Sequence, residues 1–352
     1  MTSEPLAAGG LYEFGIGTRD LDTDGAYWEA YGYRAGPEAF YTAEQSQALY
    51  GVNSALTSRR LLHQEADHGL IRLMQWEQPT SDGVGVAPFR GNGSRWAGQF
   101  ARDILDIANH AEVAKKQGQP VYAIDPSFID LSSYNPALFG GNPPTPFKDT
   151  LIGIREYTLI LPHARQAFLQ RFHYDSAMLG KINDDCRFPA SQLVHGALFF
   201  KSDVPDILNF YSEVLGLKIT LEDEVTWDKA MASRKAFDLT PDETHWNTTF
   251  EEPRSGDTQD TRRSGRLLCF RFPTSSQMAE MWEDTSPGAL GMSLYTWRVT
   301  DIEAAHKKAE AAGATDMTEV QPDEFGDKSF SFRAPDGYFW TFLQAPHDWN
   351  RS

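Results

Sequence analysis

The order of apolar and polar positions is clearest in the third quarter of the chain. LVHGALFF (Leu193–Phe200) is an apolar run of strand length and composition. Asp203 follows, with Asp206 three residues on, as an N-cap carboxylate and a first-turn charge. The helix VPDILNFYSEVLG is predicted to stop at Gly216, where the left-handed cap costs glycine little. LKITLED then reads as a strand, so the unit is strand, amphipathic helix, glycine stop, strand.

The first quarter repeats this order. LYEFGIG (Leu11–Gly17) is a strand, and AYWEAYGY (Ala26–Tyr33) matches FYSEVLGL (Phe210–Leu217) in its aromatic pair, glutamate and glycine. A second kind of unit alternates with the first: DIANHAEVAKKQGQ (Asp106–Gln119) ends its helix at Gly118, and DIEAAHKKAEAAGA (Asp301–Ala314) ends at Gly313. The four stops, Gly32, Gly118, Gly216 and Gly313, are 86, 98 and 97 residues apart. So long a period points to duplicated supersecondary units rather than a solenoid. In the last unit three strands are readable after the helix, ATDMTEV, KSFSFRAP and YFWTFLQAP, the last two joined by the turn APDG (Ala334–Gly337). Each unit is therefore predicted as βαβββ.

Three further segments resist the pattern. HARQAFLQRF (His163–Phe172) is helical in its spacing and falls in residues 161–189, which fit no unit and are expected to form a crossover. GGNPPTPF (Gly140–Phe147) and EEPRSGDTQDTRRSG (Glu251–Gly265) have the composition of long loops.

Composition narrows the classes. A chain of 352 residues is natural for two domains. The 9 Trp, 13 Tyr and 22 Phe suit either dense packing or an aromatic-lined pocket. A formal charge of −17 repels phosphate backbones and anionic membranes, so nucleic acid and membrane partners are not expected. Two cysteines, Cys186 and Cys269, make neither a disulfide framework nor a zinc motif. The start MTSEPLAAGG has no basic region or apolar run, and no stretch approaches the ~20 apolar residues of a membrane span. The expectation is a cytoplasmic protein with a small-molecule substrate; a homodimer is left open. No phosphate-binding glycine loop, nucleophile elbow or HExxH sequence is present.

The segments FYSEVLGLKI and SFRAPDGYFWTFLQ, the latter a closing hairpin, resemble the vicinal oxygen chelate (glyoxalase/bleomycin resistance/extradiol dioxygenase) superfamily. The resemblance implies an α+β fold of four βαβββ modules paired into two half-open barrel domains. Modules 1 and 2 are expected in residues 1–165, a crossover in 166–190, and modules 3 and 4 in 191–352. It also implies a metal site in members that use one, with His or Glu from first strands and Glu from closing strands aimed into the barrel.

Counting back from each helix-end glycine tests those positions. Module 3 gives Gly196 with His195 beside it; one extra residue before the helix, forming a bulge, would restore His195. Module 4 gives Leu294, and the closing-strand glutamate position holds Thr341. Modules 1 and 2 give Tyr12 or Glu13 and Gln99; with Glu156 from LIGIREYTL, Glu13 and Gln99 form the weak alternative metal set. The expectation is therefore no cofactor, with a divalent Fe, Mn or Zn ion as the alternative.

The expected function is that of an enzyme, a metal-independent lyase, isomerase or epimerase working on a small aromatic molecule by acid–base chemistry. The alternatives are a metal-dependent ring-cleaving dioxygenase or glyoxalase, and a binding protein that sequesters a hydrophobic molecule. His195, His245 and Tyr295 are the candidate catalytic residues. Thr296, Arg298, Phe339 and Thr341 are the candidate substrate-binding residues, on the face of GMSLYTWRV and its neighbour that looks into the second domain.

Overall fold

The computed structural model describes residues 5–131, 150–174, 180–229, 233–251 and 265–344. The four predicted modules are present. Module 1 comprises β1 (Ala7–Thr18), α1 (Leu21–Glu29), β2 (Tyr33–Tyr41), α2 (Ala43–Tyr50), β3 (Leu56–His63) and β4 (Leu70–Trp76). Module 2 comprises β5 (Ser94–Ala101), α3 (Ile104–Lys116), β6 (Tyr122–Asp130), β7 (Gly153–Leu161) and β8 (Ala164–Phe172). Module 3 comprises β9 (Ala190–Lys201), α4 (Asn209–Leu215), β10 (Lys218–Thr226), β11 (Thr244–Glu251) and β12 (Arg266–Phe272). Module 4 comprises β13 (Gly291–Val299), α5 (Ile302–Ala311), β14 (Gln321–Pro322), β15 (Lys328–Arg333) and β16 (Phe339–Gln344).

Aspartates cap three of the helices. Asp20, Asp103 and Asp301 sit in extended backbone and accept hydrogen bonds from first-turn amides of α1, α3 and α5. Gly216 closes α4 with φ 73°, a left-handed cap that a β-carbon would strain. Asp203 departs from its expected role. Its carboxylate accepts from the Thr274 amide at 3.1 Å, tying the helix entrance to the chain after β12, and α4 has no side-chain cap.

The modules pair differently from expectation. One sheet runs β14-β15-β16-β13-β1-β4-β3-β2 and joins module 4 to module 1. The other runs β10-β11-β12-β9-β5-β8-β7-β6 and joins module 3 to module 2. In both, two first strands meet antiparallel at the centre: Phe14 opposite Tyr295 in one, His195 opposite Gly98 in the other. The connections that cross between sheets are tied to each other, with the Thr80 amide donating to Gly288 O at 2.9 Å and Ala279 paired with Gly91. Nested pairing, inner modules together and outer modules together, lets both crossovers take the same route. Modules that share one βαβββ order carry no local mark of which partner they take.

Other segments also differ. HARQAFLQRF forms β8, not a helical crossover: it pairs with β7 along its whole length and fills the place between β5 and β7, where both neighbours need hydrogen-bond partners. The expected domain boundary near residue 165 thus falls inside a sheet. ATDMTEV is not a strand; the short β14 takes its place. GGNPPTPF and nearly all of EEPRSGDTQDTRRSG lie outside the described residues.

The two sheets pack convex face to convex face. Leu11, Phe14, Leu193, Leu198, Leu267 and Tyr295 are among the residues of this shared core. The approach is close at Gly196, where a β-carbon would lie 2.3 Å from a Leu11 methyl. Each sheet thereby keeps its concave face for other uses. Among the described residues, no helix is long and apolar enough to cross a membrane.

Candidate functional site

The concave face of modules 1 and 4 is filled. Alternation along β1 puts Glu13 on it, and the register brings Thr296, Arg72, Arg60 and Thr341 to the same side. Helix α2, which the βαβββ pattern does not predict, lies here; its Leu49 and Tyr50 pack with Met74, Trp76, Leu294 and Phe339. Thr42 and Gln45 form a capping box at its start, a signal legible in the sequence. A charged network occupies the rest. Arg72 donates to Glu13 at 2.6 Å, Asp323 at 3.0 Å, Glu324 at 3.2 Å and the Tyr50 hydroxyl at 2.8 Å. Arg60 joins Glu13 to Asp327. Burial alone would raise the Glu13 carboxyl, but the two guanidiniums hold it below its ordinary value. Burial outweighs Arg72 at Asp323, whose carboxyl is pushed up to about 6. Among the described residues, this half-barrel is closed by its own ion pairs and by the packing of α2.

Among the described residues, the concave face of modules 2 and 3 is less completely covered. Residues of β8 and β12 alternate between buried and half-buried, with Ala167, Leu169, Arg266 and Leu268 half-buried on the concave side. The register shift between Leu193 and His195 is a bulge, which turns both Val194 and His195 toward this face. Across the sheet, Arg266, His195, Gly98, Ala167 and Thr158 form one row. Small residues, Gly98, Ala167 and Thr158, stand beside His195 in it. A β-carbon on Gly98 would lie 3.0 Å from His195 Nδ1, so the glycine gives the imidazole its place.

Two titratable groups lie on this side of the sheet. His195 is 8% exposed, and burial, helped by the Arg266 charge, lowers its pKa to about 3. Its ring lies 6.3 Å from that of Phe100. The imidazole is therefore neutral across the physiological range and serves as a hydrogen-bonding group rather than a cation. Glu156, next to this row on β7, has no ion-pair partner among the described residues, and burial raises its carboxyl to about 7. A carboxyl that gains and loses its proton near neutral pH is what general acid–base work requires. Glu251 and Arg266 close one side as an ion pair at 2.6 Å. Arg171 lies over the Phe100 ring at 4.8 Å from its centroid.

His195 is expected to show no NMR titration between pH 5 and 8. Its folded pKa lies below the unfolded value, so the associated stability is complete above about pH 6.5 and lost as pH falls toward 3. A midpoint above pH 6 would contradict its desolvated placement.

The structure separates the residues that the sequence pattern groups. His245 faces the same concave side as His195, but lies beside Phe272, six residues along β12 from Arg266, ~20 Å at strand rise. It stacks on Phe272 with centroids 5.1 Å apart, and burial followed by Arg90 lowers its pKa to about 4. Tyr295 points into the core between the sheets, where its hydroxyl donates to Trp96 O at 2.7 Å. Thr296, Phe339 and Thr341 are in the filled half-barrel, Thr341 hydrogen-bonded to Ser331 at 2.8 Å. Arg298 donates to Ala8 O at 2.9 Å and packs over Tyr12.

The alternative metal set is also dispersed. Glu13 is in the network of modules 1 and 4. Gln99 points to the convex side, donating to Ser191 O at 2.9 Å and accepting from Gln166 at 2.9 Å. Glu156 alone faces the half-barrel of modules 2 and 3. Grouping the three requires modules 1 and 2 to share a sheet, and they do not. Among the described residues no three His, Cys, Asp or Glu side chains are placed to hold a metal ion, so the donor set does not fit the group that the family resemblance implies.

Residues 192–342 match the family model of the Glyoxalase/Bleomycin resistance protein/Dioxygenase superfamily. No curated protein matches the sequence. Glyoxalase I from Zea mays is similar in structure, with TM-score 0.51 and 13% identity over 96% of this chain and 92% of that one. A putative dioxygenase from Bacillus subtilis subsp. subtilis str. 168 superposes with TM-score 0.52 and 11% identity over 97% of this chain and 86% of that one. At these identities the likeness is one of fold.

Proposed function

Since the chain belongs to the glyoxalase, bleomycin resistance protein and dioxygenase superfamily, we propose that it is an enzyme that moves a proton on a small planar substrate in the half-barrel of modules 2 and 3. The reaction class is that of an isomerase, epimerase or lyase. The observation that carries this reading is Glu156, a carboxyl with no ion-pair partner among the described residues, raised by burial to about 7 on the less covered concave face.

The roles derive from the chemistry of the groups. Glu156 as carboxylate takes a proton from the substrate, and as carboxylic acid returns one to the neighbouring atom or to the leaving group. His195, held neutral, donates or accepts one hydrogen bond at a substrate oxygen. Phe100, Leu169 and Trp96 supply flat apolar surface for a ring. Three inter-strand steps of ~4.8 Å separate the His195 and Glu156 strands along the curved sheet, a span suited to one or two fused rings. The reading keeps the small aromatic substrate and cytoplasmic setting expected from the sequence.

The test begins with binding. Aromatic acids, phenols and hydroxylated ketones are screened by thermal shift, and those that bind are incubated with chelator-treated protein in D2O. Proton transfer predicts enzyme-dependent deuterium incorporation, followed by NMR; binding with no exchange and no product favours a sequestering protein instead.

Metal content gives a separate check. After dialysis against chelator, iron, manganese and zinc are expected below about a tenth of an equivalent, with turnover unchanged, because no three-ligand set is assembled among the described residues. Near-stoichiometric metal that depends on His195, or turnover restored only by added metal, overturns the metal-independent reading.

A further inference from the structure

The hairpin of β14 and β15 brings its tip, residues 323–327, onto the charged network of modules 1 and 4. Its own backbone pairing is short: Gln321 with Ser329 and Pro322 with Lys328. Side chains of module 1 supply the rest of its hold. Pro322 O accepts from the Tyr41 hydroxyl. Glu324 accepts from Tyr50 at 2.7 Å and from Arg72 at 3.2 Å. Asp323 accepts from Arg72 at 3.0 Å, and Asp327 from Arg60 at 3.3 Å. The Phe325 ring lies under both guanidiniums, its centroid 4.2 Å from Arg60 Cζ and 5.2 Å from Arg72 Cζ. The other oxygen of Asp323 shapes the turn, accepting from the amides of Phe325 and Asp327 at 3.0 and 2.9 Å.

The charges do not balance. Among the described residues four carboxylates, Glu13 of β1 and Asp323, Glu324 and Asp327 of the tip, meet two guanidiniums, Arg60 of β3 and Arg72 of β4. Tyr12 of β1, Tyr41 of β2 and Tyr50 of α2 also face the tip, but burial keeps their hydroxyls protonated and neutral. The side chains of Glu13, Asp323, Glu324 and Arg72 are fully buried, where unneutralised charge is costly. A proton kept by the cluster relieves part of that cost. Glu13, between the two guanidiniums, stays ionised, so the proton belongs to the tip, where burial raises the carboxyls of Asp327 and of Asp323, the latter to about 6.

We propose that residues 323–327 are a proton-dependent latch, which holds the half-barrel of modules 1 and 4 shut while the cluster keeps a proton and lets go when that proton is lost. Release returns the tip carboxylates to water and leaves Arg60 and Arg72 with Glu13. The strand behind the tip stays in place, because β15 is paired with β16 along its whole length. The latched carboxyl has the higher pKa, so the latch is tightest below the ordinary carboxyl value and loosens as pH rises through about 6. With Asp323 near 6 when latched and ~3.9 when released, the opening equilibrium rises about ten-fold from pH 5 to pH 8.

Hydrogen exchange of the full-length protein followed by mass spectrometry, at pH 5 to 8 and corrected for the pH dependence of the chemical exchange step, reads the opening directly. Protection of the peptide covering 321–328 is expected to fall about ten-fold more than that of the peptide covering β13, a central strand of the same sheet. Asp323→Asn keeps an acceptor for the turn amides and cannot ionise, and should remove that difference. Tip protection that is constant with pH, a fall shared equally by β13, or a fall equally steep in Asp323→Asn would each overturn the proposal. If Asp323→Asn fails to fold by circular dichroism, or its tip is unprotected at every pH, the native tip measured against β13 decides it.

Discussion

Replacing Glu156 by Gln is expected to abolish turnover while making the protein more stable. The glutamine keeps the shape and removes the acid–base function, so a loss of ~100-fold or more in kcat is expected. The stability effect has the opposite sign. The folded-state pKa of about 7 lies above the ordinary carboxyl value, so the native fold disfavours the ionised form. Stability is fullest below the unfolded pKa and declines as pH rises through about 7. At pH 8 the native protein carries this penalty and the Gln variant does not, a difference of about 3 kcal/mol. At pH 4 the two should unfold alike. Urea unfolding at both pH values, with circular dichroism and kinetics on the same samples, measures both effects. A variant that is active, or no more stable at pH 8, removes Glu156 from the site. A gain in stability joined to a loss of activity is the mark of a group kept for chemistry.

Arg72→Met should do the reverse, costing stability and leaving the chemistry alone. Arg72 is fully buried and hydrogen-bonds Glu13, Asp323, Glu324 and Tyr50. Removing it leaves three carboxylates facing one another, with Arg60 as the remaining guanidinium among them. Breaking a buried pair in this way typically costs ~3–5 kcal/mol. The loss should be larger at pH 8 than at pH 5.5. With the cation gone, Asp323, already raised to about 6, rises further, so the folded state binds protons that the unfolded chain has released. Protonation at low pH then relieves part of the repulsion. Denaturant unfolding across this pH range checks the size and sign. Turnover of the folded fraction is expected to be unchanged; a loss of kcat without a loss of stability would move the active site to modules 1 and 4.

Much of the fold is legible in the sequence because it depends on short-range chemistry. Asp20, Asp103 and Asp301 before apolar-periodic segments, and glycines at the helix ends, mark four helices at a regular spacing. The strands around them come from runs such as LVHGALFF and the APDG turn. Even the bulge that turns His195 inward leaves a trace, as one residue too many in module 3. Thr42 and Gln45 announce α2, although that helix interrupts the βαβββ order and a search for the repeat passes over it. In β8 the AxxAFLxxF spacing suits a helix; its strand form is imposed by β5 and β7 on either side.

Residue order alone carries the list of parts: four modules, their caps and turns, and a chain without the usual run of metal ligands. How the parts combine was decided only in three dimensions. Whether module 1 joins module 2 or module 4 is a choice among sheet edges of nearly the same geometry, made by contacts hundreds of residues apart, such as Phe14 against Tyr295. That choice sent Thr296, Arg298, Phe339 and Thr341 to one sheet and His195 to the other. It also decided which carboxylate is neutralised. Glu13 and Glu156 are both glutamates on strands, yet one meets two guanidiniums and the other pairs with none among the described residues. Charge pairing and desolvation depend on neighbours in space rather than on neighbours in the chain.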